Sequence, residues 1–578
     1  MKGPLPVRVR LQELHKSFGP TEALRGVTTR FHAGELTGLV GPDGSGKTTL
    51  MRLMAGLMAP SRGRIDLDPP AGSSGLIGYM PQRFGLYEDL SIDENLNLYA
   101  ALQGLPKETR QPIFDRLLTF TRLAPFRDRL AGQLSGGMKQ KLGLACALIA
   151  SPDLLLLDEP GVGVDPVSRQ DLWRMVYHLT EQGVAVIWAT AYLDEAERCD
   201  RVVLLDAGRV AFDGQPQQLT STLVQRSFML SGFEGDRRKL LGKALSLSSV
   251  CDGVIQGSAL RLVLRSGADP SPLEELAKNH GGELQRVTPR FEDGYIDHLG
   301  GGPGGYSALA AQQPKVPKIG GAAVECRQLT KTFGRFTATD RVSFSVDHGE
   351  IFGLLGPNGA GKSTTFKMLC GLMRASSGEA LVSGFNLRSA GSRAKGHLGY
   401  MAQKFSLYGL LSVAQNLEFS AGVYGLEGPQ KRKKIAEMID IFHLGPYLKS
   451  QPNDLPLGFK QRLALACAVM HEPSVLFLDE PTSGVDPLTR REFWTHINGL
   501  VQKGVTVLVT THFMDEAEYC DRVALMYQAK LIALDTPDRL KAMTQKPEAP
   551  VPTMETAFIA LIEAVDAGCP LSPPGAVS

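Results

Sequence analysis

Residues 356–364 read Gly356-Pro357-Asn358-Gly359-Ala360-Gly361-Lys362-Ser363-Thr364, and the apolar run 350–355 stands directly before them. This stretch fits the pattern G-x-x-x-x-G-K-[ST] in the place, after a strand, that a phosphate-binding loop needs. Its glycines let backbone N–H groups turn onto a polyphosphate, its lysine neutralises negative charge, and its Ser363 hydroxyl can bind Mg²⁺. The stretch therefore predicts a nucleotide site at the end of a buried strand.

The same pattern occurs a second time, far upstream, as Gly41-Pro42-Asp43-Gly44-Ser45-Gly46-Lys47-Thr48. The two lysines are 315 residues apart, and a longer offset of 321 residues relates Gln82 to Gln403 and the segment LLLLDEP (154–160) to VLFLDEP (475–481). A repeat of this length predicts two copies of one domain. In each copy an apolar strand ends in Asp-Glu, which is typical of a central parallel strand with a ligand at its carboxyl end.

The overall composition limits the classes of function. With 578 residues, the chain is long enough for two to four domains. A net charge of +2 from 62 basic and 60 acidic residues gives no electrostatic argument for nucleic acid. No apolar run approaches the roughly 18–20 residues that span a bilayer, so we expect a soluble or peripheral protein that depends on other subunits for any membrane process.

The repeat and the composition between its copies predict five segments. Residues 1–218 form the first copy and 322–545 the second, each opening with an antiparallel sheet and containing a helix-rich middle. Residues 219–300 are expected to form a small α/β accessory region, with Leu260, Leu262 and Leu264 on one strand face and a helix capped by Ser271. The Gly/Pro-rich stretch 301–321 is predicted to be a flexible linker, and 546–578 a C-terminal extension and tail.

The order of the motifs resembles that of the ATP-binding cassette ATPases. The motifs are, in order, the phosphate loop, the glutamine, the segment Leu134-Ser135-Gly136-Gly137-Met138, the Asp-Glu strand end, and Thr510-Thr511-His512. Two fused cassettes with short C-terminal extensions resemble the ATPase subunit of multidrug-type ABC exporters. The resemblance implies an α/β fold of two tandem nucleotide-binding domains of the P-loop NTPase class, and ATP hydrolysis coupled to transport.

The resemblance also implies roles for individual residues, with ATP and Mg²⁺ as the ligands. ATP contacts would come from Phe18, Gly41, Gly44, Gly46, Lys47, Thr48, Thr49, Gln82, Ser135, Gly136 and Gly137, and from Phe333, Gly356, Pro357, Asn358, Gly359, Ala360, Gly361, Lys362, Ser363, Thr364 and Gln403. Mg²⁺ would be held by Thr48 and Ser363, with Asp158 and Asp479 acting through water. Glu159 and Glu480 would orient the attacking water, and His512 would contact the γ-phosphate. For Phe18 and Phe333, stacking on adenine competes with simple core packing.

Departures from the family pattern are concentrated on one side. Cassettes of this family pair head to tail, so each ATP lies between the phosphate loop of one copy and the signature segment of the other. Ala191 stands opposite His512, and Pro456-Leu457 replaces Ser135-Gly136. Proline removes a hydroxyl and an N–H, and leucine places a side chain where backbone must approach phosphate. We therefore expect one complete site and one degenerate site, at which Glu159 still permits slow turnover.

The resemblance further implies two integral membrane permease subunits, identical or paired, served by this single chain at the cytoplasmic face of the inner membrane. Two alternatives remain open at this stage. One is a soluble ABC-F-type ATPase that acts on the ribosome, although such proteins usually carry a long charged helical linker and two intact signatures. The other is the twin-cassette ATPase of an importer.

Overall fold

The computed structural model describes residues 5–68, 76–82, 85–318, 320–387, 389, 396–403, 406–545 and 551–568. The chain divides into two compact units, Met1–Thr222 with Pro289–Tyr295, and Leu223–Thr288 with Ile296–Ser578. No helix in the described part of the chain is both long and apolar enough to cross a membrane.

The first unit is built on a mainly parallel sheet. Within its described residues the strands lie in the order Ile77–Met80, Leu154–Asp158, Ala185–Ala189, Leu36–Val40, Arg201–Asp206 and Arg209–Gly214, of which only the last pair is antiparallel. The three central strands are buried along their whole length, because helices cover both faces of such a sheet. A separate antiparallel sheet contains Thr21–His32, Val7–Phe18 and Arg62–Leu67.

The helices of the first unit supply its helical middle and the layers around the sheet. They are Lys47–Met54, Ile92–Leu102, Lys107–Thr121, Gly136–Leu148, Pro166–Glu181, Leu193–Glu197 and Pro216–Ser221, with 3₁₀ turns at Ala124–Phe126 and Ala131–Gln133. Helix Phe291–His298 begins in the second segment of this unit.

The second unit repeats this architecture. Its described strands form the sheet Leu398–Met401, Val475–Asp479, Thr506–Thr510, Ile351–Leu355, Arg522–Tyr527 and Lys530–Asp535, and an antiparallel sheet of Phe336–Val346, Val324–Phe333, Ser377–Val382 and Phe385–Asn386. Its helices are Lys362–Leu369, Val413–Val423, Gly428–Ile441, Leu457–Val469, Pro487–Gln502, Met514–Ala517, Pro537–Ala542 and Met554–Asp566, with 3₁₀ turns at Gly445–Tyr447 and Pro452–Asp454. The repeated α/β architecture agrees with the fold class expected from the sequence.

The accessory region packs as part of the second unit. Its antiparallel sheet has the order Val250–Gln256, Ala259–Leu264, Ser227–Ser231 and Glu283–Arg286, and its helices are Arg237–Leu245 and Ser271–Asn279. Arg237 and Arg238 each donate to the carboxylate of Asp521, at 2.8 and 2.7 Å. The same carboxylate accepts the backbone N–H of Ile351 at 2.8 Å, so the accessory helix is tied to the strand that leads into the phosphate loop.

Two local expectations differ from the structure. Ser271 is not the N-cap of its helix, since it is the first helical residue and its N–H and hydroxyl both donate to Asp269. The segment 301–321, expected as a flexible linker, contains the helix Ala308–Gln312, in which Leu309 and Ala310 are buried. This short helix packs on helix Pro487–Gln502 because its apolar residues find a complementary surface that sequence composition does not reveal. Beyond 545, residues 546–550 and 569–578 of the expected extension lie outside the described part.

Candidate functional site

The phosphate loop of the second copy has the backbone that its glycines permit. Gly356 has a φ of +157° and Gly361 one of +98°, and a Cβ atom on Gly356 would lie 2.3 Å from a backbone carbonyl oxygen. The Lys362 side chain is buried, and its Nζ donates to the carbonyl oxygens of Gly356 at 2.7 Å and Pro357 at 3.1 Å. The lysine is thus folded back over the loop at the N-terminus of its helix.

The first copy reproduces this loop closely. Gly41 and Gly46 have φ values of +154° and +104°, and Lys47 Nζ donates to the carbonyl oxygens of Gly41 and Pro42 at 2.7 and 3.1 Å. The remaining predicted contact residues lie in the loops or the first helical turns: Gly44, Thr48 and Thr49 in the first copy, and Asn358, Gly359, Ala360, Ser363 and Thr364 in the second. The two loops therefore have the same local arrangement of backbone and lysine.

The carboxylates of the second copy meet a glutamine and a histidine. Asp479 ends strand Val475–Asp479, and Glu480 follows in the left-handed region with a φ of +49°. Gln403 Nε2 donates to Glu480 Oε2 at 2.7 Å, and His512 Nδ1 lies 3.3 Å from the same oxygen. The structure therefore brings together Gln403, Glu480 and His512, three of the side chains that the sequence assigned to this half of the site.

The first copy holds its carboxylate without a histidine. Glu159 has a φ of +53°, and Gln82 Nε2 donates to its Oε2 at 2.5 Å. Ala191 is buried at the position that corresponds to His512. The imidazole contact of the second copy is accordingly missing here.

With His512 in one copy and Ala191 in the other, the two glutamates have different pKa values. Burial acts to raise the pKa of Glu480, but the charge and hydrogen bond of His512, with the Lys362 charge, outweigh it and lower that pKa to about 2. Burial, opposed by the Lys47 charge, raises the pKa of Glu159 to about 7. At neutral pH the carboxylate of the second copy is therefore ionised, whereas burial favours the protonated form in the first.

Two buried glutamates that the sequence reasoning missed hold the segment that carries His512 in the second copy and Ala191 in the first. The Thr511 hydroxyl donates to Glu516 Oε2 at 2.7 Å. In the first copy, the Thr190 hydroxyl at 2.6 Å and the Trp188 indole N–H at 2.8 Å both donate to Glu195 Oε2. Both glutamates follow their threonine by five residues and obey the 321-residue offset. That shared spacing is the signal that would have found them.

The signature segment of the first copy begins a helix with a proper cap. Ser135 is exposed, and its Oγ accepts the backbone N–H of Met138 at 3.3 Å. Gly136 and Gly137 are the first two residues of helix Gly136–Leu148. The helix N-terminus thus presents a hydroxyl and backbone N–H groups, which suit an anion.

The corresponding segment of the second copy begins differently. Pro456 precedes helix Leu457–Val469 and makes no side-chain cap bond. Leu457 occupies the first helical position, where the other copy has Gly136. A side chain therefore stands where the first copy has none.

Phe18 and Phe333 are half exposed, at 49% each. Lys16 Nζ lies 5.3 Å from the centre of the Phe18 ring, and Lys331 Nζ lies 5.1 Å from that of Phe333. Neither ring is packed into a core, so an open aromatic face stands at the end of each antiparallel hairpin.

The residues at both loops fit a magnesium nucleotide. Hydroxyl and carboxylate oxygens from Thr48 with Asp158, and from Ser363 with Asp479, are the hard donors that Mg²⁺ prefers. Thr48 Oγ1 lies within 3.3 Å of Asp158 Oδ1. His512 Nε2 is buried and makes no hydrogen bond within the described residues, which leaves a donor for a phosphate oxygen.

Comparison with known proteins agrees with this geometry. The ABC transporter family pattern matches residues 24–162 and 339–483. The chain is 56% identical over 563 residues to the probable multidrug ABC transporter ATP-binding protein YbhF of Escherichia coli, covering 96% of this chain and 97% of that protein. It is 28% identical to the putative ABC transporter ATP-binding protein BL0043 of Bifidobacterium longum, over 89% of this chain and 64% of that one.

Among solved structures, an ATP-binding subunit of an ABC transporter is 28% identical and matches 42% of this chain and 99% of its own length, with a TM-score of 0.38. The segments 24–162 and 339–483 that match the family contain both phosphate loops, and each contains the glutamate that follows the buried strand. The chain belongs to the ABC transporter family, and it is an ATPase with two ATP-binding cassettes.

Proposed function

We propose that this ATPase powers a multidrug-type exporter and that its two nucleotide sites are unequal. The loop, carboxylates and histidine of the second copy, completed by Ser135, Gly136 and Gly137, form the hydrolytic site. In the head-to-tail pairing that the family implies, Pro456 and Leu457 would complete the site of the first loop, which mainly retains ATP. The observation that carries this proposal is the contact of His512 with Glu480, for which the first copy has only Ala191.

Each group of the second copy has a defined task. Lys362 and the loop N–H groups bind and orient the β- and γ-phosphates of ATP. Ser363, with Asp479 through water, would hold Mg²⁺, which when bound would supply positive charge against the phosphates. Glu480, ionised at neutral pH, accepts a hydrogen bond from the attacking water and orients it. His512 Nε2 donates to the γ-phosphate while its Nδ1 stays against Glu480. Phe333 stacks on adenine, and Phe18 does so at the other site.

We further propose that the membrane subunits dock near Gln403, and a groove in the second unit supports this. The groove has a volume of about 890 Å³ and is bordered by Tyr400 and Ser406, on either side of Gln403 in the sequence. Its rim includes Tyr408, Phe419 and Val423, which are 52, 43 and 63% exposed. Such an exposed apolar surface suits a short apolar helix from a permease subunit, and Gln403 would relay its position to Glu480.

The direction and class of transport rest on the relatives. YbhF, at 56% identity, is described as a probable multidrug transporter subunit, which favours an exporter over an importer. One chain supplies both cassettes, so it would serve two permease subunits, identical or paired, at the cytoplasmic face of the membrane.

The inequality of the sites is tested by paired substitutions. Glu480→Gln and Glu159→Gln remove the same carboxylate from the two copies, and steady-state ATPase activity is measured with the purified complex. We expect Glu480→Gln to abolish nearly all turnover and Glu159→Gln to leave most of it. Equal losses would defeat the asymmetric mechanism.

The transport role is tested by purification from detergent-solubilised membranes. Polytopic membrane proteins that co-purify with the tagged chain would support the exporter, and compounds that stimulate the ATPase of that complex would indicate its cargo. A pool of the chain bound to ribosomes and released by salt would instead favour the ABC-F-type alternative.

A further inference from the structure

Thr510 connects the Asp479 carboxylate to the backbone of Glu480 in the second copy. It ends strand Thr506–Thr510, pairs with Asp479 across the parallel register, and is fully buried. Its hydroxyl donates to Asp479 Oδ1 at 2.6 Å and accepts the backbone N–H of Glu480 at 3.0 Å. One side chain is thus bonded to the residue expected to act on the metal and to the one expected to orient the water.

Both bonds restrict groups that would otherwise move. The short bond from the Thr510 hydroxyl to Asp479 Oδ1 restricts the rotation of that carboxyl group. The Glu480 N–H donates to two acceptors on Thr510, the hydroxyl and the carbonyl oxygen, each at 3.0 Å. Glu480 has a φ of +49°, a conformation that costs free energy unless surrounding contacts hold it. Because threonine is branched at Cβ, its own χ1 has few alternatives.

The first copy has no hydroxyl at this place. Ala189 pairs with Asp158 in the same register, and the Glu159 N–H is bonded to the Ala189 carbonyl oxygen at 2.8 Å. Asp158 is held instead by the hydroxyls of Thr48 at 3.3 Å and Tyr79 at 3.4 Å. These bonds are longer, and one of them uses the hydroxyl that is itself expected to bind the metal.

We propose that Thr510 is a positioning residue, which sets Asp479 for metal binding and Glu480 for water before nucleotide arrives. This inference rests on the proposed function in assigning hydrolysis to the second copy, and it adds a second reason, beside Ala191, why the first copy is slow. Partners that orient a metal-binding side chain typically contribute 10- to 100-fold to metal affinity or activity.

The deciding measurement is Mn²⁺ binding to the full chain, followed by electron paramagnetic resonance with excess ADP. A Lys47→Ala background weakens nucleotide binding at the first loop, so the signal reports the second. In that background, Thr510→Val is expected to weaken Mn²⁺ binding about 10- to 100-fold and leave the affinity for metal-free ADP unchanged. Thr510→Ser, which keeps the hydroxyl, should retain the affinity of the parent. Unchanged Mn²⁺ affinity in Thr510→Val would overturn the proposal.

Turnover gives a second readout. In the otherwise unaltered chain, Thr510→Val should lower kcat with little change in KM for ATP, because the phosphate loop that binds ATP is intact. If Glu480→Gln and Glu159→Gln proved equally inactive, the asymmetric mechanism would fail while the Mn²⁺ measurement still decided the role of Thr510.

A reciprocal variant covers the case in which Thr510→Val does not fold. Ala189→Ser adds a hydroxyl at the matching place of the first copy and is combined with Lys362→Ala, which weakens nucleotide binding at the second loop. Tighter Mn²⁺ binding than in Lys362→Ala alone would support the positioning role, and no gain would contradict it.

Discussion

His512 Nδ1 lies 3.3 Å from Glu480 Oε2, and the two side chains are 3 and 6% exposed. Replacing the histidine by alanine removes both the contact that lowers the pKa of Glu480 and the proposed donor to the γ-phosphate. We expect His512→Ala to lower kcat about 10²-fold, as loss of a preorganised electrostatic contact commonly does. Steady-state ATPase of the complex measures this. Ala191→His is the matched control in the first copy, and it should add little turnover because the signature segment proposed to complete that site is still Pro456-Leu457.

The two signature segments offer a matched pair for a second prediction. Ser135→Ala removes the hydroxyl that caps its helix, a loss of about 1 kcal/mol to helix stability, together with the expected phosphate contact. Pro456→Ala at the corresponding position removes no cap bond. ATPase assays should therefore show a large loss for Ser135→Ala and nearly unchanged turnover for Pro456→Ala. A comparable loss in both would mean that the two segments contribute equally.

Ion pairs join the accessory helix Arg237–Leu245 to Asp521 of the second copy. They predict that Asp521→Asn is more destabilising than Asp200→Asn at the matching place of the first copy. Asp521 and Asp200 both accept a strand N–H, from Ile351 at 2.8 Å and from Leu36 at 2.9 Å. Asparagine keeps that acceptor and removes the charge, which in Asp521 also binds Arg237 and Arg238. We expect Asp521→Asn to destabilise its unit by roughly 2–3 kcal/mol, below the range for fully buried pairs because Asp521 is partly exposed.

Urea unfolding and hydrogen exchange can measure this difference. Amides of the accessory strands Ser227–Ser231 and Ala259–Leu264 should exchange faster in Asp521→Asn, whereas Asp200→Asn should leave them unchanged. Equal protection in the two variants would show that the arginines do not hold the accessory sheet.

His496 predicts a loss of stability in mild acid. It is buried and shares a hydrogen bond of 2.9 Å between its Nδ1 and the hydroxyl of Ser307. Burial, with the charges of Arg462 and His443, lowers its pKa to about 4, although the Glu492 carboxylate also lies 4.0 Å away. The unfolded chain, with an ordinary histidine pKa near 6.5, binds the proton more readily, so stability falls as pH drops from about 6.5 towards 4.

At pH 5 this effect amounts to about 2 kcal/mol. Thermal unfolding at pH 7.5 and pH 5 compares the parent with His496→Gln, which does not titrate. The glutamine variant should lose less stability between the two pH values. An identical loss in both proteins would assign the acid sensitivity to other groups.

The sequence predicted those parts of the molecule in which function requires particular residue types at fixed spacing. Both loops, the carboxylates after the buried strands and His512 lie where the repeat places them. The contact between Arg238 and Asp521 joins residues 283 positions apart, and neither belongs to a motif. The helix Ala308–Gln312 depends on a surface formed by tertiary packing. In the sequence Thr510 is an ordinary strand residue, and only the structure shows its hydroxyl between the Asp479 carboxylate and the Glu480 N–H. These features follow from three-dimensional proximity, which a single sequence does not encode in any local pattern.

The accessory sheet also limits how this gene could be divided. Residues 223–288 lie in the chain between the two segments of the first unit, yet they pack as part of the second unit. A split into two half-genes at the glycine-rich stretch would leave Arg237 and Arg238 on one polypeptide and Asp521 on the other. If the halves were expressed separately, the second half would lack the two arginines that bind Asp521. Fusion of the two cassettes in one reading frame supplies both sides of this contact in equal amounts.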